Sequence, residues 1–188
     1  MITKTDYNPK KVVSSITGMS SVKRFHGRST LQTQTIADHS CRTAQLAFFM
    51  ALEYYSFDYE KANYVSTLAL FHDFPESLLE CDIPSPVKNI GTIGTHVKAA
   101  ETFKVKELFP KNTYLQNLML EIAQEEDFQL MKLADYLDIG FYIRQELDFG
   151  NVGFLRFIPV FKDGISKYSD SYLKLPIVNA SLQIILGD

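Results

Sequence analysis

The sequence predicts an all-α protein. Apolar residues recur at helical spacing along most of the chain, whereas the alternation of apolar and polar residues that marks a strand is almost absent. The chain has 188 residues, of which 46% are hydrophobic and 22% are charged, so it can bury a sizeable core. It has no internal repeat and no long Ser/Gly linker, and we therefore expect a single domain over residues 1–188.

Two helices are predicted in the first half of the chain. In the segment 38–55, Ala44 and Ala51 fall on one helical face together with further apolar residues. The segment 59–74 repeats this pattern up to Pro75. The second helix is expected to end or kink there, because proline has no backbone N–H to donate to the helix.

The segment 77–88 is predicted to start helical and then to form a loop, because Pro84 and Pro86 interrupt a continuous helix. Helical spacing of apolar residues returns in the second half of the chain. It predicts five further helices, over residues 97–109, 115–123, 127–147, 154–172 and 178–186.

Composition limits the partners of the protein. The 19 Lys and Arg residues against 22 Asp and Glu residues give a net charge of −3, without a basic stripe that would hold duplex nucleic acid. No apolar stretch approaches the roughly 20 residues of a membrane span, and the N-terminus lacks a secretory signal pattern. We therefore expect a cytoplasmic protein with free thiols at Cys41 and Cys81. The 10 Tyr and 14 Phe residues favour a homo-oligomer, a dimer or larger.

Four ionisable residues that can bind a metal interrupt or border the apolar runs, namely His39, His72, Asp73 and Asp135. Asp135 is the most informative, since apolar residues surround it in the sequence and a carboxylate rarely faces a core without a partner. A cation shared with two imidazoles would satisfy it. Adjacent helical residues point about 100° apart, so His72 and Asp73 can share an ion only between their two faces or at a relaxed helix end.

Each of these residues alone has a simpler explanation. A histidine on an apolar face is usually a hydrogen-bonded core residue, and a His-Asp dipeptide is common by chance. Asp135 can also cap a helix or pair with Lys132. The order His, His-Asp, Asp on successive helices is what favours a metal site.

Five ordered blocks of sequence resemble a known family. They are Arg24-Phe25, Ala37-Asp38-His39-Ser40, Phe71-His72-Asp73-Phe74-Pro75-Glu76, Asp82-Ile83-Pro84-Ser85-Pro86-Val87-Lys88 and Lys132-Leu133-Ala134-Asp135. Together they are similar to the HD-domain metal-dependent phosphohydrolases, and among these to the HD-domain 5′-deoxynucleotidases. The resemblance implies a single HD-domain helical bundle that hydrolyses deoxynucleoside 5′-monophosphates to deoxynucleoside and phosphate.

The resemblance also implies a metal cofactor. The four protein ligands would be His39, His72, Asp73 and Asp135. Two imidazoles and two carboxylates suit one divalent transition metal such as Co, Mn, Zn, Fe or Ni.

The remaining blocks imply catalytic and substrate-binding residues. Glu76 would be the acid/base group, since it lies three residues after Asp73 and beside the ligand face of a continuing helix. Arg24 and Lys88 would hold the phosphate. Phe25 stands where the family usually has Trp and would pack against the sugar, disfavouring a ribose 2′-hydroxyl.

Asp82 is a second catalytic candidate, because it resembles a family Asp that contacts the nucleotide near the reacting phosphate or sugar. Compared with the family pattern, one extra residue separates it from the His-Asp pair. Glu80 is the nearest competitor for its role.

Two other functions stay open at this point. Related HD enzymes release tripolyphosphate from deoxynucleoside triphosphates, and such a substrate needs more cations: Lys98, Lys104, Arg28 or a basic side chain of a neighbouring subunit would have to reach the pocket. The other alternative is a non-catalytic nucleotide-binding module with a vestigial site. The presence of all four ligands together with Glu76 argues against it.

Overall fold

The computed structural model describes residues 7–187. Its contacts form two compact units. Unit 1 comprises the described residues up to 28 with 33–40 and 70–123, and unit 2 comprises 29–32, 41–69 and 124–187. Apart from an isolated antiparallel bridge between Lys23 and Thr35, the regular structure of this range is helical. The all-α prediction is confirmed, whereas a single domain over residues 1–188 stays a prediction.

The described range contains eleven α-helices and one short 3-10 helix. The α-helices are α1 (Pro9–Met19), α2 (Ile36–Tyr54), α3 (Tyr59–Phe71), α4 (Phe74–Leu79), α5 (Ser85–Lys88), α6 (Ile93–Leu108), α7 (Thr113–Met119), α8 (Glu125–Asp148), α9 (Phe157–Ile165), α10 (Asp170–Leu173) and α11 (Pro176–Leu186), and the 3-10 helix is Val152–Arg156. Between residues 7 and 187, no helix combines the length and apolar character that a membrane span requires.

Unit 1 is organised around α4, which packs against both α1 and α6. Phe74, the first residue of α4, is fully buried, and burying a phenylalanine side chain contributes about 1.5–3 kcal/mol. It belongs to an apolar core formed by Met19, Val22, Ile36, Phe74, Val105, Leu108, Phe109, Met119 and Leu120. Because Phe74 directly follows Asp73, this core fixes the chain at the point where the His-Asp pair occurs.

Unit 2 is organised around the long helix α8, against which α9 and α11 pack. The buried face of α8 includes Leu130, Leu133 and Leu137, all fully buried. The fully buried Asp138 on this helix accepts a hydrogen bond of 2.6 Å from Arg42 Nε. A buried carboxylate requires such a partner, so the pair ties the unit 2 part of α2 to α8.

Glu146, also on α8, holds the short segment 29–32 of unit 2. Its buried carboxylate accepts hydrogen bonds from the backbone N–H groups of Leu31 (2.8 Å) and Gln32 (2.7 Å) and from Asn151 Nδ2 (2.6 Å). Burial acts to raise the pKa of Glu146, but these donors outweigh it and hold the pKa below its usual value.

Replacing Glu146 by alanine is expected to lower the free energy of unfolding by about 2–4 kcal/mol, because three donors lose a charged acceptor. Since folding lowers the pKa of this carboxyl, its contribution is present at neutral pH and is lost as the pH falls through the acid range. Urea unfolding of the wild type and of Glu146→Ala at pH 7 and pH 4 measures this. A stability difference that is equally large at both pH values would contradict the assigned role.

The helix predictions hold for most segments, with three corrections. Residues 85–88 form the short helix α5, where a loop was expected, because Pro86 lies in the first turn and a proline is tolerated there. The second helix was expected to end or kink at Pro75; it ends earlier, at Phe71, and Pro75 lies in the first turn of α4. The segment 154–172 is not one helix but the 3-10 helix, α9 and α10 in succession. Helix α1 was not predicted; the side chain of Asn8 caps it by accepting from the Lys10 N–H.

Candidate metal centre and active site

His39 lies in the second turn of α2, whose N-terminus has reciprocal caps. Asp38 Oδ2 accepts from the Thr35 N–H at 3.0 Å, and Thr35 Oγ1 accepts from the Asp38 N–H at 3.2 Å. The His39 N–H donates to the Thr35 carbonyl at 3.1 Å. These bonds set where the helix starts, and hence the face on which the imidazole of His39 lies.

His72 and Asp73 occupy the break between α3 and α4. Asp73 has φ −97° and ψ 5°, which is no longer regular helix. The break removes the difficulty that adjacent helical residues point about 100° apart, since the two side chains are not on one continuous helix. The relaxed helix end that the sequence required is therefore present.

The three side chains converge within unit 1. His39 Nε2 lies 3.2 Å from His72 Nε2 and 3.3 Å from Asp73 Oδ2, and His72 Nε2 lies 3.2 Å from Asp73 Oδ1. An ion about 2.0–2.1 Å from each ligand keeps neighbouring ligand atoms about 2.8–3.0 Å apart in octahedral geometry and about 3.3–3.4 Å apart in tetrahedral geometry. The three side chains therefore fit a shared divalent cation. The two imidazoles are buried, and the Asp73 carboxylate is 19% exposed, which leaves one side open to solvent.

Asp135 lies on α8 in unit 2, where it is half-buried. Lys132 Nζ approaches its Oδ2 at 3.3 Å, so the ion pair considered as an alternative for this residue is formed. Such a pair does not prevent a carboxylate from binding a metal through its other oxygen. A role for Asp135 as fourth ligand stays a prediction.

Glu76 lies in the first turn of α4 and is 6% exposed. Its Oε1 accepts a hydrogen bond of 3.0 Å from Lys88 Nζ, and its buried Oε2 has no hydrogen-bond partner among residues 7–187. Burial, followed by the charges of Asp73 and Asp82, raises the pKa of Glu76 to about 8, against the opposing charge of Lys88. A buried carboxylate with one unoccupied oxygen is equipped to accept a proton, and with a pKa of about 8 this ionised form of Glu76 predominates above that pH.

Lys88 is the last residue of α5, and its side chain is one-third exposed. Burial lowers its pKa, but the carboxylates of Glu76 and Glu101 outweigh burial and raise the pKa above its usual value. Lys88 therefore stays a cation at the edge of the site, where it can bind an anionic group.

Asp82 and Arg24 interact electrostatically in unit 1. Burial raises the pKa of Asp82, and the charge of Arg24 is the strongest opposing influence. The Arg24 guanidinium carbon lies 5.6 Å from the centre of the Phe25 ring, a cation–π distance. Phe25 has a φ of +56°, in the left-handed region that bulky residues seldom adopt. Such strained positions concentrate at functional sites.

Glu80, the competitor for the role of Asp82, has a different environment. It caps α4 with a φ of +56° and is exposed. Its side chain lines a cavity of about 630 Å³ whose other walls include Lys11, Ser14 and Lys104. Asp82 is partly buried and interacts with Asp73 and Arg24, whereas Glu80 is exposed, so Asp82 is the better candidate of the two.

Two residues near Lys88 were missed by the sequence reasoning. Glu101 on α6 is buried and interacts with Lys88 and with Asp73. Gly94, at the start of α6, contacts the backbone of Lys88, since a Cβ atom there would lie 2.7 Å from the Lys88 carbonyl oxygen. Glu101 gave no signal in the sequence, because acidic residues in a helix that also carries several lysines are usually solvated.

Comparison with known proteins identifies the family. The family model for YfbR-like 5′-deoxynucleotidases matches residues 11–178. No curated protein matches the sequence significantly.

Three solved structures show the same fold at low sequence identity. The PH0347 protein of Pyrococcus horikoshii is 24% identical, with a TM-score of 0.71, over 93% of this chain and 98% of its own. The HD phosphohydrolase DatZ of cyanophage S-2L, solved with dA and one catalytic Zn²⁺, is 17% identical, with a TM-score of 0.67, over 100% of this chain and 99% of its own. An HD-domain phosphohydrolase of Listeria innocua, lin2634, is 18% identical, with a TM-score of 0.63, over 95% of both chains.

The family match covers most of the chain, and the fold agrees with it. The chain shares its all-α fold with these HD phosphohydrolases. It belongs to the YfbR-like 5′-deoxynucleotidase family and, as a member, is a hydrolase that acts on nucleotides.

Proposed function

We propose that this protein releases phosphate from deoxynucleoside 5′-monophosphates. One divalent transition metal, Co, Mn, Zn, Fe or Ni, would be held by His39, His72, Asp73 and Asp135. The observation that carries the proposal is the convergence of His39, His72 and Asp73 beside Glu76 in a chain of this family. Asp135 is included because it follows the other three in the order of the family's sequence blocks.

The bound metal would lower the pKa of a coordinated water and polarise the phosphoryl group. Glu76 would accept the proton of the attacking water at Oε2, while its Oε1 stays hydrogen-bonded to Lys88 Nζ. The same carboxyl can then return a proton to the leaving 5′-oxygen. Asp82 is the second candidate for this proton, since burial keeps its pKa above the usual value.

Arg24 and Lys88 would bind the non-reacting phosphoryl oxygens. An ammonium group has three donors, and Lys88 uses one of them for Glu76, so others can reach a phosphate. Arg24 would contribute a planar pair of donors. Phe25 would pack against the sugar, where apolar packing rejects an added 2′-hydroxyl only modestly. The dA in the DatZ structure supports a deoxynucleoside as the product group.

The charges of unit 1 support a monophosphate rather than a triphosphate. Lys98 lies 3.8 Å from Glu101 and 3.6 Å from Glu121, and Lys104 lies 3.8 Å from Glu107 and lines the separate cavity beside Glu80. These two lysines are engaged by carboxylates, and Arg28, the third candidate of this chain, is exposed; the proposal therefore assigns the phosphate near Glu76 to Arg24 and Lys88. One phosphate group needs no more than these two.

Product analysis tests the substrate. The purified protein is incubated with deoxynucleoside mono-, di- and triphosphates and with matched ribonucleotides, in the presence of Mn²⁺, Co²⁺ or Zn²⁺, and the products are separated by anion exchange. We expect inorganic phosphate and free deoxynucleoside from the monophosphates. Intact tripolyphosphate from a triphosphate, with monophosphates left unchanged, would contradict the proposal in favour of a triphosphohydrolase.

Replacing Arg24 by glutamine is expected to lower kcat/KM for a deoxynucleoside monophosphate. The expected loss of transition-state stabilisation is about 1.5–3 kcal/mol, the value of a lost charged hydrogen bond. Steady-state kinetics measures this. Lys111→Met is the control, because Lys111 is an exposed basic residue of the same unit and is not in the proposed phosphate-binding group. Equal kinetics for Arg24→Gln and the control would remove Arg24 from the phosphate-binding group.

A further inference from the structure

The backbone of Lys88 lies against helix α6. α5 and α6 pack against each other in unit 1, and the contact is closest at Gly94. A Cβ atom at this position would lie 2.7 Å from the Lys88 carbonyl oxygen and 3.5 Å from the Lys88 carbonyl carbon. Because those are backbone atoms, any side chain at position 94 would displace the backbone of Lys88 itself.

Glu101 lies two turns further along α6, and residues seven apart share a helix face. Its side chain is 10% exposed. Lys88 is the strongest cationic influence on it, and Lys98 is the second, with Nζ 3.8 Å from Glu101 Oε2. Lys98 is in turn 3.6 Å from Glu121. The ammonium of Lys88 is therefore hydrogen-bonded to Glu76 on α4 and is also influenced by the charge of Glu101 on α6.

We propose that Gly94 and Glu101 are positioning residues that hold Lys88 against Glu76. Gly94 sets the place of the Lys88 backbone, and Glu101 attracts its ammonium from the α6 side. This inference rests on the proposed function of Lys88 as a phosphate-binding group. Neither residue contacts the substrate in this account, so each acts only through Lys88.

Chemical labelling tests the positioning without any turnover. Limiting acetic anhydride acetylates lysines, and peptide mass spectrometry gives the rate at Lys88 in the wild type, Glu101→Gln and Gly94→Ala. We expect Lys88 to react about three- to tenfold faster in both variants, because its amine loses an anionic neighbour or its place beside Glu76. Unchanged Lys88 rates in both variants would overturn the inference.

Matched variants control this comparison. Glu107→Gln removes an exposed carboxylate of the same helix, which pairs with Lys11 at 2.6 Å. Gly18→Ala adds a methyl group to another helical glycine of unit 1, where the nearest atom, the Ser77 carbonyl oxygen, is 4.0 Å away. Both are expected to leave the labelling of Lys88 unchanged. The labelling of Lys111 in each sample corrects for reagent concentration.

A double-mutant cycle tests the same point in the reaction. We expect Glu101→Gln and Gly94→Ala each to lower kcat/KM by about 5- to 50-fold in the wild-type background. In a Lys88→Met background, either change should have less than about a twofold effect, since the residue through which it acts is gone. Full additivity of the fold-changes would overturn the inference.

The two tests separate the inference from the proposed function. If the wild-type protein releases no phosphate from deoxynucleoside monophosphates, the proposed function fails, and the labelling result still decides whether α6 positions Lys88. If turnover is present but the cycle is additive and labelling is unchanged, only the positioning role fails.

Discussion

Replacing Glu76 by alanine is expected to lower kcat by about 10² to 10⁴, while metal content and fold are kept. The carboxylate is buried on α4, its Oε1 is bonded to Lys88, and its Oε2 is left to accept a proton. Steady-state turnover, metal analysis and thermal unfolding of the same preparation measure the three properties. The loss should fall mainly on kcat, because a proton-transfer group acts in the transition state.

Glu76→Gln distinguishes proton transfer from positioning. A glutamine oxygen can still accept the hydrogen bond from Lys88 Nζ, but the neutral amide cannot take a proton from water. We therefore expect Glu76→Gln to lose as much turnover as Glu76→Ala. A glutamine variant with nearly wild-type kcat would show that Glu76 only holds Lys88, and would move the proton-transfer role to Asp82. Glu107→Ala on α6 is the control for loss of an acidic side chain.

Replacing His72 by alanine is expected to remove bound metal and to lower phosphate release to background. His72 Nε2 lies 3.2 Å from both His39 Nε2 and Asp73 Oδ1, so the variant lacks the ligand atom that neighbours both of the others. Loss of a protein ligand from a mixed imidazole and carboxylate site lowers metal affinity steeply, by more than the roughly 10- to 100-fold of an outer-shell change. Elemental analysis after dialysis against a weak chelator measures occupancy.

Asp135→Asn belongs to the same experiment, because it tests the ligand that was assigned from sequence order. We expect it to lower metal occupancy and phosphate release together, as His72→Ala does. Asp138→Asn, three residues further along α8, is the control. Like Asp135, Asp138 is a carboxylate that pairs with a cation, in its case Arg42. Full metal occupancy in Asp135→Asn would leave His39, His72 and Asp73 as the protein ligands and would remove Asp135 from the set.

The sequence was sufficient for the fold class and for most helices, because long amphipathic segments have a strong period. Helix α8 was predicted within two residues at each end. Short elements were not predicted as separate helices, since four residues are too few to show a period: α5 was expected to be a loop, and α10 was merged into the predicted helix 154–172. Prolines were the second source of error. Pro86 was expected in a loop but lies in the first turn of α5, and the helix expected to end or kink at Pro75 ends earlier, at Phe71.

The candidate site was predictable where chemistry-bearing residues occur in recognisable blocks. His39, His72 and Asp73 were expected to share a cation, and their donor atoms do lie 3.2–3.3 Å apart. Support from elsewhere in the chain was not predictable. Gly94 is important because of a backbone contact, and Glu101 because of burial, and neither property can be derived from the residue type or its local sequence.

The most direct test of the central claim is phosphate release by metal-stripped protein as a divalent ion is returned. Chelator-treated protein is titrated with Mn²⁺, Co²⁺ or Zn²⁺, and inorganic phosphate from a deoxynucleoside 5′-monophosphate is measured at each ratio of metal to chain. We predict that stripped protein is inactive and that activity rises with occupancy to a plateau near one ion per chain. Phosphate release that is undiminished in protein shown to contain no metal would contradict the account.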